Sequence, residues 1–120
     1  MDKSYSEWDF DVVVIGAGGA GLRAAIEASS SGAKVGMISK SMLGKAHTVM
    51  AEGGAAAALA NKDHRDSWKI HFRDTMKGGK YLSDWRMAKV HAQQAPDRIR
   101  ELEQWGAVFD RTSEGKTSQR

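Results

Sequence analysis

The chain has 120 residues and no cysteine, with 18 Lys+Arg set against 15 Asp+Glu for a net charge of +3. Without thiols it can hold no thiolate-ligated iron–sulfur cluster, no Cys-based zinc site and no disulfide. Its share of charged (28%) and hydrophobic (41%) residues excludes collagen-like and disordered classes, and its length allows one domain at most.

The run Val12-Val13-Val14-Ile15 falls far short of the roughly 18 apolar residues that a membrane span needs. The opening Met1-Asp2-Lys3-Ser4-Tyr5-Ser6-Glu7 has no basic flank leading into an apolar stretch, so it does not read as a signal peptide. The expected location is the cytoplasm, or a membrane surface reached through partners. Nucleic acid is not an expected partner. The second half carries 13 basic and 9 acidic side chains, but their signs are interleaved, as in Lys62-Asp63-His64-Arg65-Asp66, and interleaved signs mark solvated helix faces.

In chain order, residues 9–15 read as a strand. The β-branched run suits a strand buried on both faces of a parallel sheet. Gly16 ends it. A helix is predicted from Gly19 to about Ser31, with Leu22, Ala25, Ile26 and Ser29 on one stripe and Arg23 and Glu27 on the other. Ser30-Ser31-Gly32 closes that helix, and residues 34–39 read as a second strand. Strand, glycine turn, helix and strand within about thirty residues have the dimensions of a βαβ unit.

A loop is expected up to about Glu52, then a short Ala-rich helix over 53–60. Asp66 or Ser67 caps a helix running to Lys77, with Trp68, Phe72 and Met76 in register and Gly78-Gly79 as its stop. Ser83 caps the next, through about Gln94, with Met87, Val90 and Ala92 inward. Pro96 opens a third, where its missing N–H costs nothing, with Ile99 and Leu102 inward and Gly106 at its end. Ala107-Val108-Phe109 reads as a strand entering a turn at Ser113-Glu114-Gly115. A first strand buried on both faces needs neighbours that this chain does not supply. The polypeptide is therefore expected to be the N-terminal piece of a longer one.

Gly16-Ala17-Gly18-Gly19-Ala20-Gly21 is a G-x-G-x-x-G motif set between predicted strand and helix. Gly16 permits the tight turn, Gly18 lets the backbone approach a pyrophosphate, and Gly21 lets the helix pack on the strand. The helix N-terminus offers N–H groups and a positive dipole end to phosphates. Strand before and helix after supply the context that dinucleotide binding requires. The carboxylate that ordinarily meets the ribose about 20 residues on is missing. Ile38-Ser39-Lys40-Ser41 stands there instead, which weakens a simple NAD reading and leaves FAD open. A second motif, from Gly44-Lys45-Ala46-His47-Thr48 to Glu52-Gly53-Gly54, places an imidazole shortly after the second strand and two glycines behind it.

Taken together, the glycine fingerprint, Ser39-Lys40, Ala46-His47-Thr48-Val49 and Ala51-Glu52-Gly53-Gly54 resemble the flavoprotein subunit of succinate dehydrogenase and fumarate reductase. The likeness continues through Asp74-Thr75-Met76-Lys77-Gly78-Gly79 and Gly106-Ala107-Val108-Phe109-Asp110-Arg111. The resemblance implies an α/β fold, an incomplete FAD-type Rossmann domain with a parallel sheet and a helical insertion, spanning 1–120 as the first part of an FAD-binding domain. It implies FAD carried covalently by His47 through the 8α carbon of the flavin ring, which makes the flavin easier to reduce. Residues 16–21 and Ser39, Lys40, Thr48, Glu52, Gly53 and Gly54 are implied as further FAD contacts. The family usually has Ser and Gln where this chain has Ala46 and Glu52.

The implied activity is interconversion of succinate and fumarate by hydride transfer to flavin, within electron transport and the tricarboxylic acid cycle. The implied partners are an iron–sulfur subunit, membrane anchor subunits and a quinone, with peripheral attachment to the cytoplasmic face of the membrane. The residues that would act on the dicarboxylate match nothing in this chain, so no catalytic residue is assigned and the 120 residues alone are expected to be inactive. Two alternatives stay open. One is an L-aspartate oxidase-like flavoenzyme, which is not expected to link flavin at position 47. The other is a non-enzymatic nucleotide-binding module. His64, His71 and His91 read as solvated or ordinary helix histidines, with no metal assigned, and Trp68, Trp85 and Trp105 as packing residues.

Overall fold

Two short parallel strands organise the first part of the chain in a computed structural model that describes residues 4–118. The residues form two compact units, divided between Gly53 and Gly54. In the first unit, β1 (Val12–Ile15) pairs in parallel with β2 (Val35–Ile38), Val12 opposite Val35 and Ile15 opposite Ile38. The intervening helix α1 spans Gly19–Ser30, so the predicted βαβ unit is present with each strand trimmed at its ends. Entry to the pairing is fixed at Asp11, whose carboxylate accepts from Lys34 N–H at 2.7 Å while its own N–H donates to the Lys34 carbonyl at 2.9 Å.

Helix α1 stops where the sequence stops it. Gly32 has a φ of +89°, its N–H donates to the Ser29 carbonyl at 3.0 Å, and Ala33 N–H reaches Ala28 at 3.1 Å. That pair of bonds is a Schellman cap, which needs a left-handed residue at this position. The predicted stripe Leu22, Ala25, Ile26 and Ser29 lines an open apolar concavity together with Val35 and Met37. On the other stripe Arg23 and Glu27 form an ion pair at 2.7 Å.

β1 departs from expectation in its burial. Val13 is 51% exposed and Ile15 82%, whereas the continuous apolar run calls for cover on both faces. A sheet of two strands with one helix packed on it leaves the remaining faces open among the described residues. The segment after β2 is an irregular loop to residue 52 carrying one 3₁₀ turn, His47–Met50.

In the second unit, α2 (Trp68–Gly78) packs against α3 (Trp85–Gln104). Ser67 is the N-cap of α2, its hydroxyl accepting from Ile70 N–H at 3.4 Å. The positive φ angles that close α2 fall on Lys80 (52°) and Tyr81 (59°), not on the glycine pair. A Cβ on Gly79 would stand 2.2 Å from the Ser83 hydroxyl, which can rotate away, and 3.3 Å from the Thr75 carbonyl oxygen.

The two helices expected after residue 83 are one. Asp84, rather than Ser83, caps α3, its carboxylate accepting from Arg86 N–H at 2.8 Å and Met87 N–H at 3.3 Å. A carboxylate satisfies two orphan donors and favours the positive helix end, and so outcompetes a hydroxyl. Pro96 lies inside α3 instead of opening a new helix. An interior proline costs about 3 kcal/mol. Against that stands the buried stripe Ala88, Ala92, Ala95 and Ile99, which runs unbroken past the proline at helical spacing.

That stripe also corrects the expected inward face. Ala92 is completely buried, while Met87 is 65% exposed and Leu102 41%. Small residues let two helices approach closely, so alanine takes the interface and the larger side chains turn outward. Gly106 ends α3 as expected, with a φ of +99° and a Schellman pair from Gly106 N–H to Glu103 and Ala107 N–H to Leu102.

Two further expectations fail. Residues 53–60 are not helical: Gly53 (φ +120°) and Ala60 (φ 53°) bend the chain at either end, and eight residues are too few for alanine propensity to prevail. Ala107-Val108-Phe109 is not a strand, and Val108 is 96% exposed. β-propensity needs a pairing partner, and the pairing nearby is a single antiparallel bridge, Arg111 to Thr117, across the predicted turn. The interleaved charges are solvated pairs, such as Arg98–Glu101 at 3.0 Å and Arg100–Asp97 at 2.8 Å along α3. No helix among the described residues is long and apolar enough to cross a membrane.

Candidate functional site

The glycine loop joins β1 to α1 at the carboxyl end of the sheet, the end where parallel α/β sheets bind ligands. Gly16 has a φ of +106°, which lets the chain turn sharply off the strand, and its N–H still reaches the Ile38 carbonyl at 2.8 Å. Gly21 sits directly behind that turn. A Cβ on it would fall 1.9 Å from the Gly16 carbonyl oxygen, so the close approach of helix to strand exists only because the residue is glycine. Gly36 does the same for β2, where a Cβ would stand 2.6 Å from the Phe10 ring.

The helix terminus created this way is open. Gly18 is the N-cap and supplies no side-chain hydrogen bond, and the first turn of α1 holds no acidic residue. Gly19 N–H donates to the Thr48 hydroxyl at 3.1 Å, while the N–H groups of Ala20 and Gly21 find no acceptor among the described residues. Unpaired N–H groups at a helix N-terminus, with no carboxylate to compete, suit the two negative charges of a pyrophosphate. Ala17 is buried beneath the loop at 4% exposure, and Gly18 and Gly19 lean on Thr48.

Ser39 and Lys40 follow β2 and therefore emerge beside Gly16, since Ile38 lies opposite Ile15 in the pairing. Both are exposed, and no carboxylate stands with them. His47 begins the 3₁₀ turn, exposed, with Ala46 extended before it (φ −73°, ψ 163°). Glu52 is exposed, and Gly53 and Gly54 straddle the boundary between the two units. The structure thus brings residues 16–21, Ser39, Lys40 and Thr48 to one end of the first unit. The bond from Gly19 to Thr48 is the part that sequence reasoning missed. Nothing in the local pattern signals a contact between residues 29 positions apart.

The family model described as the FAD binding domain matches residues 11–120. The chain belongs to that family. An FAD binding domain is what the open helix terminus and its glycines fit: they can hold the pyrophosphate, and the Ser39 hydroxyl and Lys40 ammonium can meet the polar part beyond it. The succinate dehydrogenase flavoprotein subunit of Rickettsia bellii is 47% identical over 100% of this chain and 20% of its own length. A fumarate reductase (CoM/CoB) subunit of Methanothermobacter marburgensis is 46% identical over 94% of this chain and 21% of its own. Among solved structures, the Mycobacterium smegmatis Sdh1 complex in the apo form superposes with a TM-score of 0.88 at 66% identity, covering 92% of this chain and 19% of that one. The names agree with the resemblance carried by the motifs. The chain spans about a fifth of the length of the relatives it matches.

Proposed function

We propose that this chain is the FAD-binding part of a succinate dehydrogenase or fumarate reductase flavoprotein, and that His47 carries the flavin covalently. The observation that carries the reading is the 3₁₀ turn of His47, held by Thr48 against the glycine loop while its imidazole stays exposed. Similarity to proteins of both names, across nearly the whole chain, supports the same class.

Ala20 and Gly21 donate their open N–H groups to the pyrophosphate, and the helix dipole adds its positive end. Ser39 hydrogen-bonds the ribose region in place of the missing carboxylate, with Lys40 alongside. Gly53 and Gly54 let the backbone come close to the flat ring, with Glu52 beside them as a further contact. His47 bonds to the 8α carbon through an imidazole nitrogen. That linkage would release two protons, one from the imidazole N–H and one from the 8α carbon, and pass two electrons to an external acceptor, a quinone or dioxygen. When bound, FAD supplies the two-electron acceptor for a hydride from a dicarboxylate methylene. No residue of this chain is assigned to hold the dicarboxylate or to move its proton. Electrons then leave to an iron–sulfur subunit and on to a quinone through membrane anchor subunits, with this chain attached peripherally on the cytoplasmic side.

Precipitating the intact protein with acid and running it on a denaturing gel tests the linkage. The expected result is yellow colour in the pellet and a band fluorescent under ultraviolet light, both lost in His47→Ala while FAD still binds reversibly. Colour released entirely into the supernatant from the wild type would refute it.

A further inference from the structure

Thr48 is held from three sides. Its hydroxyl accepts from Gly19 N–H at 3.1 Å, across 29 positions of sequence. Its side chain is also what Gly18 and Gly19 are packed against: an added Cβ on Gly18 would lie 3.4 Å from Oγ1, and one on Gly19 3.3 Å from Cγ2. Its carbonyl accepts from Ala51 N–H at 3.2 Å, next to the bond from Val49 N–H to Ala46 at 3.1 Å, so the side chain and the 3₁₀ turn move as one piece. His47 is covalently the next residue, exposed, and lies within that turn.

We infer that Thr48 is a positioning residue: it locks the turn bearing His47 onto the phosphate-binding end of α1, so that the loop holding the pyrophosphate also sets where the imidazole stands. This rests on the reading of His47 as the flavin-linking residue. The chemistry of a hydroxyl makes the tie compatible with a bound anion. Its oxygen is used by Gly19, its O–H proton can donate to a phosphate oxygen, and Ala20 and Gly21 keep their own N–H groups for the anion. The turn is therefore fixed before the cofactor arrives and does not have to be displaced by it. Bond formation between two held groups depends steeply on their alignment, and a misplacement of about 1 Å costs on the order of a hundredfold in rate.

The test separates binding from attachment. Apoprotein of the intact polypeptide, prepared under flavin limitation, is mixed with saturating FAD in air-saturated buffer, where dioxygen serves as the electron acceptor. Covalent flavin is followed by gel fluorescence, and reversible FAD affinity is measured separately at early times. Thr48→Val keeps the shape but loses the acceptor. It is expected to attach flavin about ten- to a hundredfold more slowly at saturation, with FAD affinity weakened by no more than about tenfold for one lost hydrogen bond. Thr48→Ser keeps the oxygen and is expected to restore most of the rate. Attachment by Thr48→Val at the wild-type rate would overturn the inference. So would failure of Thr48→Ser to rescue, which would make Thr48 a packing residue only, or loss of all FAD binding by Thr48→Val, which would make its hydroxyl a binding group rather than a positioning one. A wild type that binds FAD without ever linking it would instead remove the reading of His47, and this inference with it.

Discussion

Replacing Gly21 by alanine probes the geometry on which the cofactor site rests. The new Cβ would start 1.9 Å from the Gly16 carbonyl oxygen, where even a tight contact needs 3.0 Å, so helix and turn must separate by about 1 Å. The oxygen is backbone and cannot rotate away. Val14 Cγ1, 3.5 Å from the same position, closes the other side. Overpacking of this kind costs about 1–3 kcal/mol, and the absence of a flexible neighbour puts Gly21→Ala at the upper end. The shift also carries the N–H groups of Ala20 and Gly21 away from the proposed pyrophosphate position, so FAD affinity is expected to fall together with stability. Urea unfolding of the intact protein with and without FAD measures both, the second through the loss of ligand-induced stabilisation. An unchanged midpoint and an undiminished FAD increment in Gly21→Ala would refute the claim that helix–strand approach at this glycine builds the site.

Pro96→Ala in α3 restores a backbone N–H opposite the Ala92 carbonyl and removes the ring that crowds it. It is expected to stabilise the protein by up to about 3 kcal/mol, read as a raised denaturation midpoint; a lowered midpoint would mean that the proline ring packs against something essential. Asp63, fully exposed, has its carboxyl pKa lowered from 3.8 to about 2, chiefly by the side-chain hydrogen bond from Arg65. A depressed folded pKa stabilises above the unfolded value and the effect fades as pH falls from about 4 through 2, so carboxyl NMR is expected to show a midpoint near 2 that rises toward 3.8 in Arg65→Gln. High salt is expected to weaken the shift, because the pair is solvated.

Residue chemistry that acts within a few positions is legible in the sequence. The β-branched run of β1, Gly16 at the turn, and the glycines after α1 and α3 each impose a local conformation, and the structure has those conformations there. The cofactor class is legible for the same reason, since a phosphate-binding turn is a local object. Competitions settled at a distance are not. Pro96 fits a helix start locally, yet the alanine stripe along α3 keeps the helix whole. Residues 53–60 and Ala107-Val108-Phe109 have the composition of helix and strand but find no packing or pairing that makes either.

By itself, then, the chain of residues determined the glycine turn between β1 and α1, the glycine stops of α1 and α3, and a first helical turn free of acidic side chains, because steric limits on φ and the direction of a helix dipole need no tertiary partner. The folded molecule alone decided that Thr48 meets Gly19, that Gly36 makes room for Phe10, and that alanines rather than Met87 or Leu102 face inward. Those outcomes turn on distances between segments far apart in sequence, where hydrogen-bond geometry and close packing are set by the whole arrangement rather than by any short run of side chains.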